Sequence, residues 1–204
     1  ILVYGFGRSG RSCLNYLKKD NIVKIYDDKL KKLPKKFKIS QFKLKKTKFD
    51  FIVLSPGINK DVCDLKKFLL TNKSKIISDL DIFYFKNIQN LKICITGTNG
   101  KSTTSKIIHK ILKNAGLDAR LVGNIGQPIL NEKKITKKTV FVVEISSYQI
   151  EYSKYFKSDI AAILNIFPDH LDRHKTFSNY RKIKFKLLKN LIPGGTGIIE
   201  KNIF

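Results

Sequence analysis

Four stretches of the chain hold side chains suited to phosphate or metal chemistry. Gly97-Thr98-Asn99-Gly100-Lys101-Ser102-Thr103 follows an apolar run and precedes a helical pattern. Glycines at 97 and 100 let backbone amides converge on phosphate oxygens. Lys101 brings positive charge to the outer phosphates, and the Ser102 hydroxyl suits Mg2+. The spacing departs from the full phosphate-loop pattern, whose first glycine would fall at Ile95. ATP binding is the expectation.

Gly5-Phe6-Gly7-Arg8-Ser9-Gly10 also joins a strand to a helix, where backbone can approach an anion. Asp27 closes the next strand, placed to accept hydrogen bonds from a ribose or a base. This spacing fits a nicotinamide dinucleotide, another nucleotide, or a tight turn that binds nothing; nothing else in the chain suggests hydride transfer. Glu144 directly follows the apolar run Thr139–Val143, well placed for Mg2+ or its waters, or simply an exposed strand end. Asp169-His170-Leu171-Asp172-Arg173-His174 alternates two carboxylates with two histidines. It suits metal or phosphate work, or a polar loop with capping aspartates. No cysteine or second histidine cluster completes a zinc set. His109, inside a helical pattern, reads as structural.

Positioning these groups requires a layered α/β fold. Apolar runs alternate with amphipathic stretches, which predicts largely parallel sheets. Strands are expected at Ile1–Tyr4, Ile22–Tyr26, Phe51–Leu54 and Lys75–Ile77, with helices to about Lys19, near 61–71 and from Asp79. Residues 29–48 hold ten lysines and no acid, a solvated connection with a short edge strand. Asn87–Asn90 reads as a linker. Beyond it come strands Leu91–Ile95, Thr139–Val143 and Ile160–Ile166, helices to Asn114 and over Ser178–Asn190, and a turn at Pro193-Gly194-Gly195 into a last strand. Two units result, 1–88 and 89–204.

Net charge is +25, from 41 basic and 16 acidic residues, a balance that ordinarily suggests nucleic acid. Only five of the cations are arginine, the side chain suited to bidentate phosphate and base contacts. The excess is also evenly spread, +13 over 1–88 and +12 over 89–204, with no basic arm. A compositional bias explains this better than a specific nucleic-acid surface. No apolar run approaches the eighteen residues that span a membrane. Cys13, Cys63 and Cys94 read as reduced core thiols of a cytoplasmic protein. The chain begins inside a strand-like run and holds no methionine, so it reads as a piece of a longer protein.

In combination, these motifs resemble the Mur ligases, ATP-dependent amide-forming enzymes of peptidoglycan synthesis and so of cell-wall biogenesis, cell shape and division. The runs that carry the likeness are Gly5–Gly10, Ser55-Pro56-Gly57, Ile95–Thr103, Gly123-Asn124-Ile125-Gly126, Glu144–Gln149 and Asp169–His174. Their order is closest to the D-glutamate-adding branch. The resemblance implies a Rossmann-like N-terminal domain that binds UDP, then an incomplete P-loop ATPase-type central domain. A third domain would lie beyond Phe204, leaving this piece with little or no turnover alone.

On that likeness, Gly5, Gly7, Arg8, Ser9, Gly10, Asp27, Ser55, Pro56 and Gly57 face the UDP-muramoyl substrate, and Asn124 and Ser146 its muramoyl-alanine portion. Asp28 stands where relatives often carry a hydroxyl. Gly97–Thr103 hold ATP, with Lys101 on its outer phosphates. Ser102, Glu144, His170 and Lys184, the last as a carbamate, serve Mg2+. The implied reaction joins D-glutamate to UDP-N-acetylmuramoyl-L-alanine through an acyl phosphate, releasing ADP, in a monomer that neither enters membranes nor binds specific nucleic acid. Other Mur ligases, a folylpolyglutamate-synthetase-like ligase and a basic nucleic-acid-binding module are the alternatives.

Overall fold

A computed structural model describes residues 1–30 and 32–203. Lys31, within the lysine-rich segment, and Phe204, the end of the expected second unit, lie outside the described residues. The first sheet contains β1 (Leu2–Tyr4), β2 (Lys24–Tyr26), β3 (Ile52–Leu54) and β4 (Ile76–Ile77), all parallel in the order β2-β1-β3-β4. Around it lie α1 (Arg8–Leu17), α2 (Gln41–Lys46), α3 (Lys66–Thr71) and α4 (Asp79–Lys86).

The second sheet is β6-β7-β5-β8-β9, also all parallel: β5 (Lys92–Thr96), β6 (Ala119–Gly123), β7 (Val140–Glu144), β8 (Ser158–Ile163) and β9 (Leu191–Ile199). Its helices are α5 (Lys101–Asn114), α6 (Ser147–Tyr152), α7 (Leu171–His174) and α8 (Phe177–Lys189). Parallel strands covered on both faces need continuous apolar runs. Phe141, Val142 and Val143 are accordingly fully buried.

Three segments differ from expectation. Among its described residues the lysine-rich stretch keeps a single parallel bridge, Ile25 to Lys38, and then forms α2. Ser40 caps that helix and Leu44 anchors it, so one buried leucine suffices among exposed lysines. Strand β6 carries little apolar signal because it is a sheet edge, with Arg120 paired to Asp118 at 2.7 Å. Pro193-Gly194-Gly195 does not precede the last strand but interrupts it. Ser158 pairs with Leu191 and Ile160 with Thr196, so the intervening residues bulge out.

The two sheets share one apolar core. Phe83 of α4 meets Phe141 of β7 edge-to-face at 4.7 Å. Lys92 fixes the connection between the sheets. Its buried ammonium donates to the carbonyls of Asn87, Ile88 and Asn90 and sits 3.5 Å from Asp159. Among the described residues, no helix is long and apolar enough to cross a membrane.

Candidate active site

In each sheet the chain leaves the central strand toward one side and later returns to the other. The crevice outside the strands' carboxyl ends at such a point is where open α/β sheets bind ligands. In the first sheet β1 feeds the Gly5–Gly10 turn and β3 feeds Ser55-Pro56-Gly57. The Ser55 hydroxyl donates to the Gly5 carbonyl at 2.8 Å, tying the two loops together. Gly10 is required by contact: a Cβ there would lie 1.9 Å from the Gly5 carbonyl oxygen. Gly10→Ala is expected to cost about 3 kcal/mol, as overpacking against backbone does, read as a lowered urea midpoint.

Asp27 is already engaged. Its carboxylate accepts from the Phe6 amide at 2.6 Å and from the Lys29 and Leu30 amides at 2.9 and 2.8 Å. Burial alone would raise its pKa, but the amides of Leu30, Phe6 and Lys29 outweigh it and hold the group below the usual aspartate value. Asp28 takes the Tyr4 hydroxyl at 2.7 and 2.8 Å. A cleft of about 730 Å3 opens here, lined by Gly5, Gly7, Arg8, Ser9, Asp27, Ser55, Pro56 and Gly57 from the first sheet. Asn124, Ser146 and Tyr148 line it from the second. Of the residues predicted for this ligand, Gly10 alone does not line the cleft; it packs behind it. Arg8 bridges the two sides by donating to the Gly126 carbonyl at 3.0 Å.

In the second sheet β5 feeds Gly97–Gly100, and α5 begins at Lys101. Gly100 takes a left-handed φ of +79°, which turns the chain into the helix. First-turn amides have no acceptor within their own helix, so those following Gly100 are free to meet an anion. The amides of Thr98 and Asn99 are differently employed. Both donate to the Asn165 side-chain oxygen, at 3.0 and 2.8 Å, and Asn165 Nδ2 returns a bond to the Asn99 carbonyl at 3.1 Å. Asn165 therefore braces the loop from the β8 end. The Thr98 hydroxyl adds contacts to the Phe167 amide at 2.9 Å and the Tyr180 hydroxyl at 3.2 Å.

Two lysines converge on this loop. Lys101 Nζ donates to the carbonyls of Gly97 and Thr98 at 2.9 and 2.6 Å. Lys184 Nζ, buried on α8, donates to the same Gly97 carbonyl at 2.7 Å and lies 4.7 Å from the Tyr180 ring centre. Burial first, and the Lys101 charge second, lower the Lys184 pKa to about 7, with Asp169 opposing.

Glu144, the last residue of β7, is 1% exposed and therefore not a solvent-facing strand end. Its Oε2 accepts from the Ser102 hydroxyl at 2.7 Å and its Oε1 from Asn124 Nδ2 at 2.7 Å. One carboxylate thus touches both the phosphate-loop helix and the cleft. Gly123 permits this: its φ is +106°, and a Cβ would lie 2.3 Å from the Glu144 carbonyl.

His170 lies at the start of α7 with a left-handed φ of 52°, half exposed, 3.4 Å from the Asp169 carboxylate and 4.8 Å from the Tyr148 ring. Among the described residues, no three His, Cys, Asp or Glu side chains gather into a metal cage. What meets instead is a hydroxyl and a carboxylate, Ser102 and Glu144. Two hard oxygen ligands completed by water and phosphate suit Mg2+ and not zinc.

Sequence reasoning missed Asn165, Tyr148 and Arg173. Asn165 lay inside the expected strand Ile160–Ile166 and belonged to no motif. Arg173 sat inside a recognised motif but was given no role; it is 8% exposed and reaches the Ile58 carbonyl at 2.8 Å.

The chain is similar to known proteins. The model of the Mur ligase middle domain matches residues 95–203. Two UDP-N-acetylmuramoylalanine–D-glutamate ligases are similar across 98% of this chain. That of Rickettsia bellii is 38% identical, with 45% of its own length covered, and that of Caldicellulosiruptor bescii is 36% identical, with 47% covered. The chain spans about half the length of these curated relatives. Among solved structures, the Neisseria meningitides UDP-N-acetylmuramate:L-alanyl-gamma-D-glutamyl-meso-diaminopimelate ligase superposes on 98% of this chain and 70% of its own. Its TM-score is 0.59 at 16% identity, a likeness of fold. With more than half of its length matching the middle domain, and the phosphate loop and Glu144 inside the match, the chain belongs to the Mur ligase family.

Proposed function

We propose that this chain supplies the nucleotide-sugar cleft and much of the ATP site of an ADP-forming ligase that adds D-glutamate to UDP-N-acetylmuramoyl-L-alanine in peptidoglycan synthesis. Residues 1–88 would form the UDP-substrate unit and 89–204 the ATP unit. The observation that supports this reading most strongly is the bridging carboxylate of Glu144, bonded to Asn124 on the cleft side and to Ser102 on the phosphate-loop side. Two polyanionic substrates seated in these sites would present their reacting ends to each other there.

In this reading the amides of Gly100–Thr103 cradle ATP's phosphates. Lys101 exchanges the Gly97 and Thr98 carbonyls for phosphate oxygens. Ser102 and Glu144, with His170 and a carbamylated Lys184, would hold Mg2+, which would supply charge neutralisation. The alanyl carboxylate attacks the γ-phosphorus and ADP leaves. The amine of D-glutamate then attacks the acyl phosphate carbon, its nitrogen gives up a proton, and inorganic phosphate departs. Arg8 and Ser9, with Gly5 and Gly7, hold the UDP end, and Asn124 and Ser146 orient the carboxylate end. Calorimetric titration of the chain with UDP-N-acetylmuramoyl-L-alanine tests the cleft: saturable binding weakened at least tenfold by Asn124→Ala supports the reading, and no binding overturns it.

Lys184 gives a separate prediction. An amine with a pKa of about 7 is neutral in a large fraction of molecules near neutrality. The neutral amine can attack CO2, forming an N–C bond and releasing a proton. In 13C-bicarbonate the chain is expected to show a carbamate resonance above pH 7 that fades as pH falls below it. That resonance is expected to be absent in Lys184→Met. Stability should follow the same group without CO2. The unfolded lysine keeps its proton up to its ordinary 10.5, so the unfolded state binds more protons between about 7 and 10.5. Folding stability from this residue therefore rises with pH across that window, by about 1.4 kcal/mol per unit at most. A pH series of urea midpoints for wild type and Lys184→Met checks the sign.

A further inference from the structure

Arg173 joins three elements that sequence leaves far apart. Its guanidinium lies between two rings of α6, 5.3 Å from Tyr148 and 5.2 Å from Tyr152. Nε pairs with Glu151 at 3.0 Å, and Nη2 donates to the Ile58 carbonyl at 2.8 Å and to the Tyr152 hydroxyl. That hydroxyl donates to the same Ile58 carbonyl at 2.7 Å and accepts from the Lys60 amide at 3.2 Å. Residues 58–60, which directly follow Ser55-Pro56-Gly57, are thus held by the second sheet's helices.

The contacts continue toward the phosphate loop. Tyr148 faces His170 at 4.8 Å and His174 at 5.5 Å. His174 lies 5.5 Å from the Tyr180 ring, and the Tyr180 hydroxyl is 3.2 Å from the Thr98 hydroxyl. A packed series of side chains therefore runs from the Ile58 carbonyl in the cleft wall to Thr98 in the loop. Arg173 and the Tyr152 hydroxyl it bonds are the members that cross from one sheet to the other. Its planar fork serves a carbonyl, a hydroxyl and a carboxylate while stacking on rings, which an ammonium cannot do.

We propose that Arg173 is a positioning residue that couples occupancy of the cleft to binding at the phosphate loop. The proposal rests on the function given above. A uridine diphosphate seated against Ser55–Gly57 orders the 58–60 segment and, through Arg173, the aromatic series against Thr98. The second ligand then finds its loop already ordered, which gives positive cooperativity.

The test is a calorimetric titration of the chain with UDP, alone and at saturating Mg2+ and adenylyl imidodiphosphate. Wild type is expected to bind UDP at least about fivefold more tightly in the second condition. Arg173→Lys is expected to leave both separate affinities within about twofold and bring the ratio to about one. Because removing the arginine leaves Glu151 with Lys60 alone, at 3.2 Å, Arg173→Met with Glu151→Gln is the second variant. It leaves the net charge beside Lys60 unchanged and is expected to lose the coupling equally. A wild-type ratio of one with both ligands bound overturns the proposal, as does a wild-type ratio retained in both variants. No UDP binding by wild type instead removes the function proposed above, and the coupling with it.

Discussion

Lys101→Ala is expected to lower the affinity for Mg2+ and ATP by about 100-fold or more while leaving UDP affinity within a factor of about two. A hundredfold is about 2.7 kcal/mol, the scale of a charge-assisted bond to phosphate in a partly buried site. The ammonium is held over the loop by the carbonyls of Gly97 and Thr98, at 2.9 and 2.6 Å. Those contacts are to neutral oxygens, so a triphosphate offers a stronger partner at little cost in rearrangement. Loss of Lys101 also removes the charge that helps depress the Lys184 pKa. The Lys184 midpoint should accordingly rise in the variant, in the same sample, by NMR. Calorimetry with both nucleotides decides the matter: unchanged ATP affinity would remove the phosphate-loop assignment, and equal loss of UDP binding would show general unfolding instead.

The second large effect falls outside any motif. Asp81, on α4, is fully buried, and its carboxylate accepts from the amides of Lys154, Tyr155 and Phe156 at 2.9, 2.7 and 2.8 Å. It also accepts from the Ser78 amide at 2.8 Å and from the Ser153 hydroxyl at 3.2 Å. Lys186 holds the other side of the same turn, donating to the carbonyls of Ile150, Glu151 and Ser153. An anion that draws three consecutive amides of one segment onto a helix of another is a fastener between the two sheets. Asp81→Ala leaves the buried Phe156 amide and the part-buried Lys154 and Tyr155 amides without their acceptor, at about 1–3 kcal/mol each when fully unmet. Partial relaxation brings the expected total to about 4 kcal/mol. For a chain of this length that is roughly 8–16 °C in melting temperature. Scanning calorimetry reads it directly, and a fall of less than about 2 °C would mean that solvent replaces the carboxylate.

The strand–loop–helix placement of Gly97–Thr103 was legible because its signal is local. Two glycines, a lysine and a hydroxyl within seven residues suit an anion where a strand precedes and a helix follows. Gly5–Gly10 was legible for the same reason, and the strand-end position of Glu144 followed from the apolar run before it. What the sequence could not display was contact across distance. Asn165 braces Thr98 and Asn99 from 66 or 67 positions away, and Asp81 reaches segments 72 to 75 positions on. Nothing in the neighbours of either residue advertises a partner.

Composition hid the rest. With 36 lysines in the chain, charge alone gave no reason to separate Lys92 and Lys184, both buried, from the solvated majority. The likeness to a family singled out Lys184; Lys92 had no such pointer. The lysine-rich stretch was read as a solvated connection with a short edge strand because charge masked the spacing of Ile39 and Leu44, the apolar anchors around α2. Pro193-Gly194-Gly195 was read as the end of a connection, since turn residues punctuate a sequence in the same way whether they precede a strand or bulge from it.

The central claim is that the cleft and the phosphate loop form one site joined at Glu144. A crystal structure of the chain with UDP-N-acetylmuramoyl-L-alanine, Mg2+ and adenylyl imidodiphosphate tests it most directly. The prediction is UDP against Gly5–Gly10, with the alanyl carboxylate beside Asn124 and Glu144. Its oxygen should stand about 3–3.5 Å from the γ-phosphorus, as in-line attack requires. A nucleotide sugar bound with its carboxylate pointing away from Glu144, toward Asp27, or bound outside the cleft, would contradict the claim.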